Sequence, residues 1–236
     1  MRGESGQLRC SAPAVTAGAA FSRWLLRRGA ALPPSPAAGL RAAAEVLLAA
    51  PRLSVELTSS PSGELIRQYM LARRRGIRSH LRARSVLRVP PPETPMLSGR
   101  RFHAARSNVA RARREGIACR ELPEPERPGA LRELGVLETM LRRKTDRWWV
   151  AEAADTTVGV ALVTVDRSWA MLNVLDAPEY PARYLLHTHI VGSLRAAGVR
   201  YLTTRGPSAL VMPEGLLYLQ ARLGYEVVNL RVRDGR

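Results

Sequence analysis

Cysteine and lysine are scarce in this 236-residue chain, and its 20 acidic side chains are outnumbered by 37 lysines and arginines. Its two cysteines, Cys10 and Cys119, make neither a disulfide framework nor a metal cluster. They fit reduced thiols in a cytoplasmic protein. No run of about 18 apolar residues occurs, so no helical membrane span is expected. The start is a poor secretory signal, because Arg23, Arg27 and Arg28 follow the mildly apolar Ala12–Phe21 at once. An Arg-bearing, acid-poor start also has features of an organelle transit peptide. Also missing are a Walker loop, a zinc spacing, a Ser-His-Asp arrangement and a paired-carboxylate motif. No metal site is therefore expected. With 46% hydrophobic residues, the chain has enough apolar material for a sizeable core.

Arginine is abundant, and Lys144 is the sole lysine. The net charge of +17 is concentrated: residues 67–114 hold fourteen arginines against Glu93 alone. Residues 115–150 and 151–236 are nearly balanced. Such a block favours a polyanion, whether tRNA, the phosphates of a cofactor or an anionic membrane surface. A solvated basic face with no specific ligand is the simpler account of the same charges.

The second half sets the order of elements. Trp148–Ala153, Val158–Val165 and Trp169–Leu175 read as three strands joined by tight turns at Asp155–Thr157 and Asp166–Ser168. A helix is expected from about Ala182 to Ala197, ended by Gly198. A strand follows at Val199–Thr204. A short helix runs from Pro213 to Leu223, Gly224 closes it, and Tyr225–Val232 is the last strand. Upstream, residues 1–16 read as a loose tail. Ala17–Gly29 and Ala37–Ala50 read as helices, Leu53–Leu57 as a strand, and Glu64–Arg75 as a helix opened at Ser60-Pro61. Leu81–Val89 alternates apolar residues with arginines and predicts a half-exposed strand. Pro95–Glu115 predicts a basic helix with Phe102, Ala105, Val109 and Ala112 as its buried stripe. Ile117–Leu122 reads as a strand and Gly129–Lys144 as a further helix.

Two stretches in this order carry a resemblance. One is Arg106-Ser-Asn108-Val-Ala-Arg111-Ala112-Arg-Arg-Glu-Gly116. The other is Gly215-Leu-Leu-Tyr-Leu-Gln220-Ala-Arg-Leu223-Gly224-Tyr225-Glu226. Together with the strand order, they make residues 81–236 resemble the GNAT-type acyltransferase fold, and most of all its FemAB-like branch. The resemblance implies an α/β domain with a mixed, splayed sheet flanked by helices. Residues 17–80 then form an N-terminal extension packing on it. It also implies transfer of an acyl or aminoacyl group to an amine or hydroxyl, and a conventional acetyl-CoA N-acetyltransferase is the nearest alternative. A non-catalytic module of the same fold, binding nucleic acid or a protein through its Arg-rich face, is the alternative from another class.

In ordinary members a Gly-rich turn at a helix start cradles the pyrophosphate of acyl-CoA. Here that place reads Tyr180-Pro181-Ala182-Arg183-Tyr184-Leu185, without glycine. Where those members often carry a tyrosine as general acid, this chain has Gln220, with Tyr218 off that register. Both departures suit the FemAB-like branch, which takes its acyl group from aminoacyl-tRNA. The donor thus stays open between aminoacyl-tRNA and acyl-CoA. The fold assigns acyl binding to the backbone of Asn173, Val174 and Leu175, with Arg183 near the helix start as an anion contact. Arg101, Arg106 and Arg111 are the candidate anion-binding residues of the basic helix. Asp176 and Tyr218 are the candidate catalytic side chains; a carboxylate at Asp176 would take a proton from an acceptor amine, though a capping aspartate is the simpler account. His187 and His189, two apart on one helix, cannot share a metal, and each reads as a surface or interface histidine.

Overall fold

The computed structural model describes residues 48–71, 83–127, 145–205 and 214–234. The helices expected over Ala17–Gly29 and Gly129–Lys144, and most of Ala37–Ala50, lie outside these residues. Eight strands form one mixed sheet. They are β1 (Arg52–Leu57), β2 (Ala83–Arg88), β3 (Ala118–Glu121), β4 (Asp146–Ala153), β5 (Thr156–Asp166), β6 (Trp169–Asp176), β7 (Tyr201–Thr204) and β8 (Glu226–Asp234). Their order across the sheet is β1-β8-β2-β7-β6-β5-β4-β3. Pairs β1/β8 and β6/β7 are parallel and the others antiparallel. The third and fourth strands of the second half, β6 and β7, are therefore adjacent and parallel.

Local chemistry explains the meander. Ala153 pairs with Thr156, leaving a two-residue loop in which Ala154 and Asp155 both take positive φ. A turn with two left-handed residues matches the twist of the strands it joins. Strand β1 feeds helix α1 (Pro61–Leu71) through a capped start: Ser60 Oγ accepts the Gly63 amide at 3.0 Å, and Pro61 fills the first position, where no N–H is needed. Thus the described part of residues 17–80 contributes an edge strand and a helix to the same sheet.

Helices α2 (His103–Arg114), α3 (Tyr180–Ala196) and α4 (Glu214–Arg222) cover one face, with α2 lying across α3. The large core there joins Ala105, Val109 and Ala112 of α2 to Trp149, Leu172, Leu186, Ile190 and Leu219. The predicted stripe of the basic helix is thus buried, with Phe102 at the half-buried edge. On the other face α1 buries Ile66 and Met70 against Val55, Trp169, Met171 and Val228. Trp148 belongs to a third cluster with Leu122, Val150, Val160 and Leu162.

Neighbours on a strand point to opposite faces, yet Trp148 and Trp149 are both fully buried, because both faces of the sheet are covered at that point. One expectation needs correction: strand β2 is not half-exposed. It sits between β8 and β7, and five of its six residues are buried, Arg84 among them. The Arg84 guanidinium reaches back to the Tyr69 carbonyl at 3.4 Å.

Candidate active site

The parallel pairing of β6 with β7 is short. Their register runs from Trp169 opposite Tyr201 to Leu172 opposite Thr204, and the Arg205 amide donates to the Leu172 carbonyl at 2.8 Å. There the parallel pairing ends while β6 continues to Asp176. On its other side β6 slips by one residue: Val163 faces Leu172 but Leu162 faces Val174, so Asn173 is an extra residue in the strand. A bulge bends its strand and increases the local twist. It lies where the pairing with β7 ends. A buried polar knot holds it: the Asn173 amide donates to Asp146 Oδ1 (3.0 Å) and Thr164 Oγ1 (2.7 Å), and Thr164 donates to the same carboxylate at 2.5 Å.

The notch this leaves is a cavity of about 180 Å³. Leu172, Asn173 and Leu175 of β6 line one side, Arg183 and His187 of α3 another, and Leu219 and Gln220 of α4 a third. Thr204, Arg205 and Tyr225 complete the polar part. Gln220 donates to Thr204 Oγ1 at 3.2 Å, and its Oε1 is buried without a hydrogen-bond partner. Arg183 donates to the Ala177 carbonyl at 2.6 Å, while its Nε is likewise buried and unpartnered. Buried polar atoms are rarely left so in a native fold, and a bound polar group is one way to satisfy them.

Behind the notch lies a feature the sequence did not announce. His187 is buried, not superficial, and its Nε2 is 2.9 Å from the Tyr225 hydroxyl. Desolvation lowers the His187 pKa to about 4 and raises that of Tyr225 well above its usual value. The pair is therefore neutral at neutral pH. This has a pH consequence. Between about pH 6.5 and 4 the unfolded chain binds a proton at this site that the folded chain refuses, so stability falls as pH falls through that window. The loss amounts to about 3 kcal/mol by pH 4. A His187→Gln variant, followed by urea unfolding from pH 7 to 4, is expected to lose that slope; an unchanged slope would mean the histidine titrates normally.

The other candidates fall as follows. Asp176 is exposed at the end of β6 and does not line the cavity. Tyr218 is 50% exposed, with the Arg222 guanidinium over its ring. His189 is exposed on the outer side of α3, so the two histidines do point apart. Arg106 donates to the carbonyls of Leu97 (2.6 Å) and Gly99 (2.8 Å), clamping the loop before α2. Arg111 is paired with Glu115 at 2.7 Å. Arg101 lies 4.6 Å over the Phe102 ring. Burial pushes the Cys119 thiol up to about 12, which makes it no nucleophile. Among the described residues no group of histidine, cysteine or carboxylate side chains is placed to hold a metal.

The basic block divides in space. Arg67 pairs with Glu64 on α1 and Arg84 is buried in the sheet, whereas Arg100, Arg101, Arg106, Arg111, Arg113 and Arg114 are exposed on α2 and its leading turn. Among the described arginines of this block, the largest exposed group is that of α2 and its leading turn, and Arg88 is exposed at the end of β2.

The mixed eight-stranded sheet flanked by helices is consistent with a GNAT-like fold. No protein-family profile matches the sequence, and no curated protein does. Solved structures similar to it include the C-terminal DUF2156 domain of a protein assigned as a lysylphosphatidylglycerol synthetase from Agrobacterium fabrum. That likeness has 16% identity over 51% of this chain and 45% of that one, with a TM-score of 0.39. A second is L-PGS from Bacillus licheniformis, at 13% identity over 52% and 45% of the two chains, TM-score 0.41. A third is a GCN5-related N-acetyltransferase from Kribbella flavida, at 12% identity over 52% and 29%, TM-score 0.33. The match spans less than half of each of these three proteins. No helix among the described residues is long and apolar enough to cross a membrane.

Proposed function

We propose that this chain is a GNAT-like transferase that moves an aminoacyl group from an aminoacyl-tRNA to an amine. The observation that carries the reading is the notch itself: β6 carries a bulge at Asn173 where its pairing with β7 ends, and the strand edge of Asn173–Leu175 borders a cavity with polar groups from α3, α4 and β7. An extended acyl group laid along such an edge finds backbone donors and acceptors, as a further strand would.

Local geometry supports a donor other than acyl-CoA. A pyrophosphate needs free amides at a helix start and no opposing charge. At the start of α3, Pro181 has no N–H, Glu179 stands at the cap position, and Ala182 is fully buried. That start is therefore a poor pyrophosphate cradle. The exposed arginines of α2 instead suit a long phosphate backbone.

In the reaction the acceptor nitrogen bonds to the donor carbonyl carbon and the ester C–O bond breaks. The proton lost from nitrogen ends on the departing ribose oxygen. With His187 held near 4 and Tyr225 raised, neither side chain of the notch is a base matched to neutral pH. The rate then rests on positioning and on fixed hydrogen-bond donors.

The test pairs two assays on the purified full chain. With radiolabelled aminoacyl-tRNA and an amine acceptor, label is expected to move to the amine faster than the ester hydrolyses alone. Binding of the tRNA is expected to weaken steeply as salt rises. Acetyl-CoA is expected to leave the melting temperature unchanged. A clear rise with acetyl-CoA would overturn the donor assignment by ligand linkage, and salt-sensitive tRNA binding without turnover would assign a binding module instead.

A further inference from the structure

A second cavity, of about 200 Å³, adjoins the notch but is not part of it. His187 and Leu223 line both and stand between them. Its walls are mainly apolar: Leu87, Met96, Leu97, Phe102, Val191 and Leu223. Its polar groups include Thr188, Arg88, Arg101 and one carboxylate, Glu226.

The chamber is a built feature. The loop that roofs it is pinned by the two hydrogen bonds from Arg106 to the carbonyls of Leu97 and Gly99. Leu97 is held at φ 55, a conformation that a branched side chain adopts only when its surroundings enforce it. At the floor, the Phe102 ring packs on Gly224, where an added Cβ would come within 3.0 Å of the ring. Arg101 has a ring contact with Phe102 but no hydrogen bond or ion pair with any described residue. A free guanidinium thus stands beside an apolar chamber. An apolar cavity of about 150 Å³ is already enough to admit a benzene ring.

We infer that this chamber is a binding site for a compact apolar carboxylate, of the size of benzoate or hexanoate, whose charged end pairs with Arg101 and whose body fills the space beside Phe102, Val191 and Leu223. A planar guanidinium matches a carboxylate with two parallel hydrogen bonds. The apolar remainder leaves water for a site of its own shape. The inference does not rest on the transferase reading, since it concerns binding alone.

The experiment is calorimetric titration of the full chain with hexanoate and benzoate, against acetate, hexanol and hexylamine. Hexanoate or benzoate is expected to bind at least about tenfold more tightly than each of the three controls, the tenfold being the worth of one good charged contact or its apolar counterpart. Arg101→Ala is expected to weaken the carboxylate by about tenfold and leave hexanol unchanged. Thr188→Leu should abolish binding by filling the chamber, with the circular dichroism spectrum unaltered; the loop variant Met96→Trp gives the same test should the first misfold. Hexylamine or hexanol binding as tightly as hexanoate would overturn the inference, as would an Arg101→Ala variant that binds like the parent.

Discussion

Gly63→Ala is expected to cost about 3 kcal/mol and lower the melting temperature by about 6–12 °C, a large effect for one methyl group. The added Cβ would fall well inside contact with the Thr58 carbonyl oxygen and 3.0 Å from the Asp166 carboxylate. Neither neighbour is free to retreat. The Thr58 amide donates to Asp166 Oδ2 at 2.8 Å, and the Thr58 and Ser60 hydroxyls donate to Oδ1 at 2.5 and 3.0 Å. That carboxylate ends β5, so the crowding would pry the β1–α1 unit from the β5–β6 hairpin. Differential scanning calorimetry checks it, with Ser60→Ala as the calibration. The latter removes the helix cap and the Ser60 hydroxyl's contacts with Asp166 and Thr58, and is expected to cost about 1–2 kcal/mol. A Gly63→Ala protein melting like the parent would show that the junction yields, and that α1 is only loosely attached.

The same junction marks a limit of what the sequence displayed. Ser60-Pro61 announced a helix start, because capping is a matter of adjacent residues. Nothing in the sequence tied Thr58 to Asp166, 108 residues away. From Trp148 onward the elements were legible for the opposite reason. Their β-branched runs are punctuated by Gly198 and Gly224, both at positive φ in the structure, and each boundary is local. Strand β2 was misread because alternation reports two faces but not what covers them. Its partners β7 and β8 lie more than a hundred residues downstream, and between them Arg84 is buried where a solvent face was expected.

The site divides in the same way. Strand β6 itself was legible, because its run from Trp169 to Leu175 is bounded by local turn signals. The bulge at Asn173 was not legible, since it depends on Asp146 and Thr164 in two other strands. His187 was missed because α3 is buried almost all round at Tyr184–His187, so no polar stripe separates an interior histidine from a surface one. The only available signal was its position: an imidazole between Leu186 and Thr188, in the middle of a helix dense in apolar residues, must meet a hydroxyl or another polar group from elsewhere. Tyr225, just after Gly224, supplies it.

Blocking the notch should have the largest effect on activity. Leu175 is half-buried on β6, packs against the main core and lines the cavity. Leu175→Trp would put an indole into a space of about 180 Å³ without adding charge or removing a hydrogen bond. Aminoacyl transfer is expected to fall by at least about 100-fold, because displacing a reacting group by about 1 Å already costs that much. Donor binding at the notch should fail in parallel, while tRNA still binds through the exposed arginines of α2. Asp176→Asn and Tyr218→Phe are the internal controls. Neither residue lines the cavity, so both variants are expected to stay within about threefold of the parent rate, as changes that remove no contact with the transition state do. Single-turnover transfer with labelled aminoacyl-tRNA measures all three. If Leu175→Trp turned over like the parent while Asp176→Asn failed, the chemistry would belong at the outer end of β6. The cavity beside β6 would then be an architectural consequence of the bulge and not the place where the carbonyl is held.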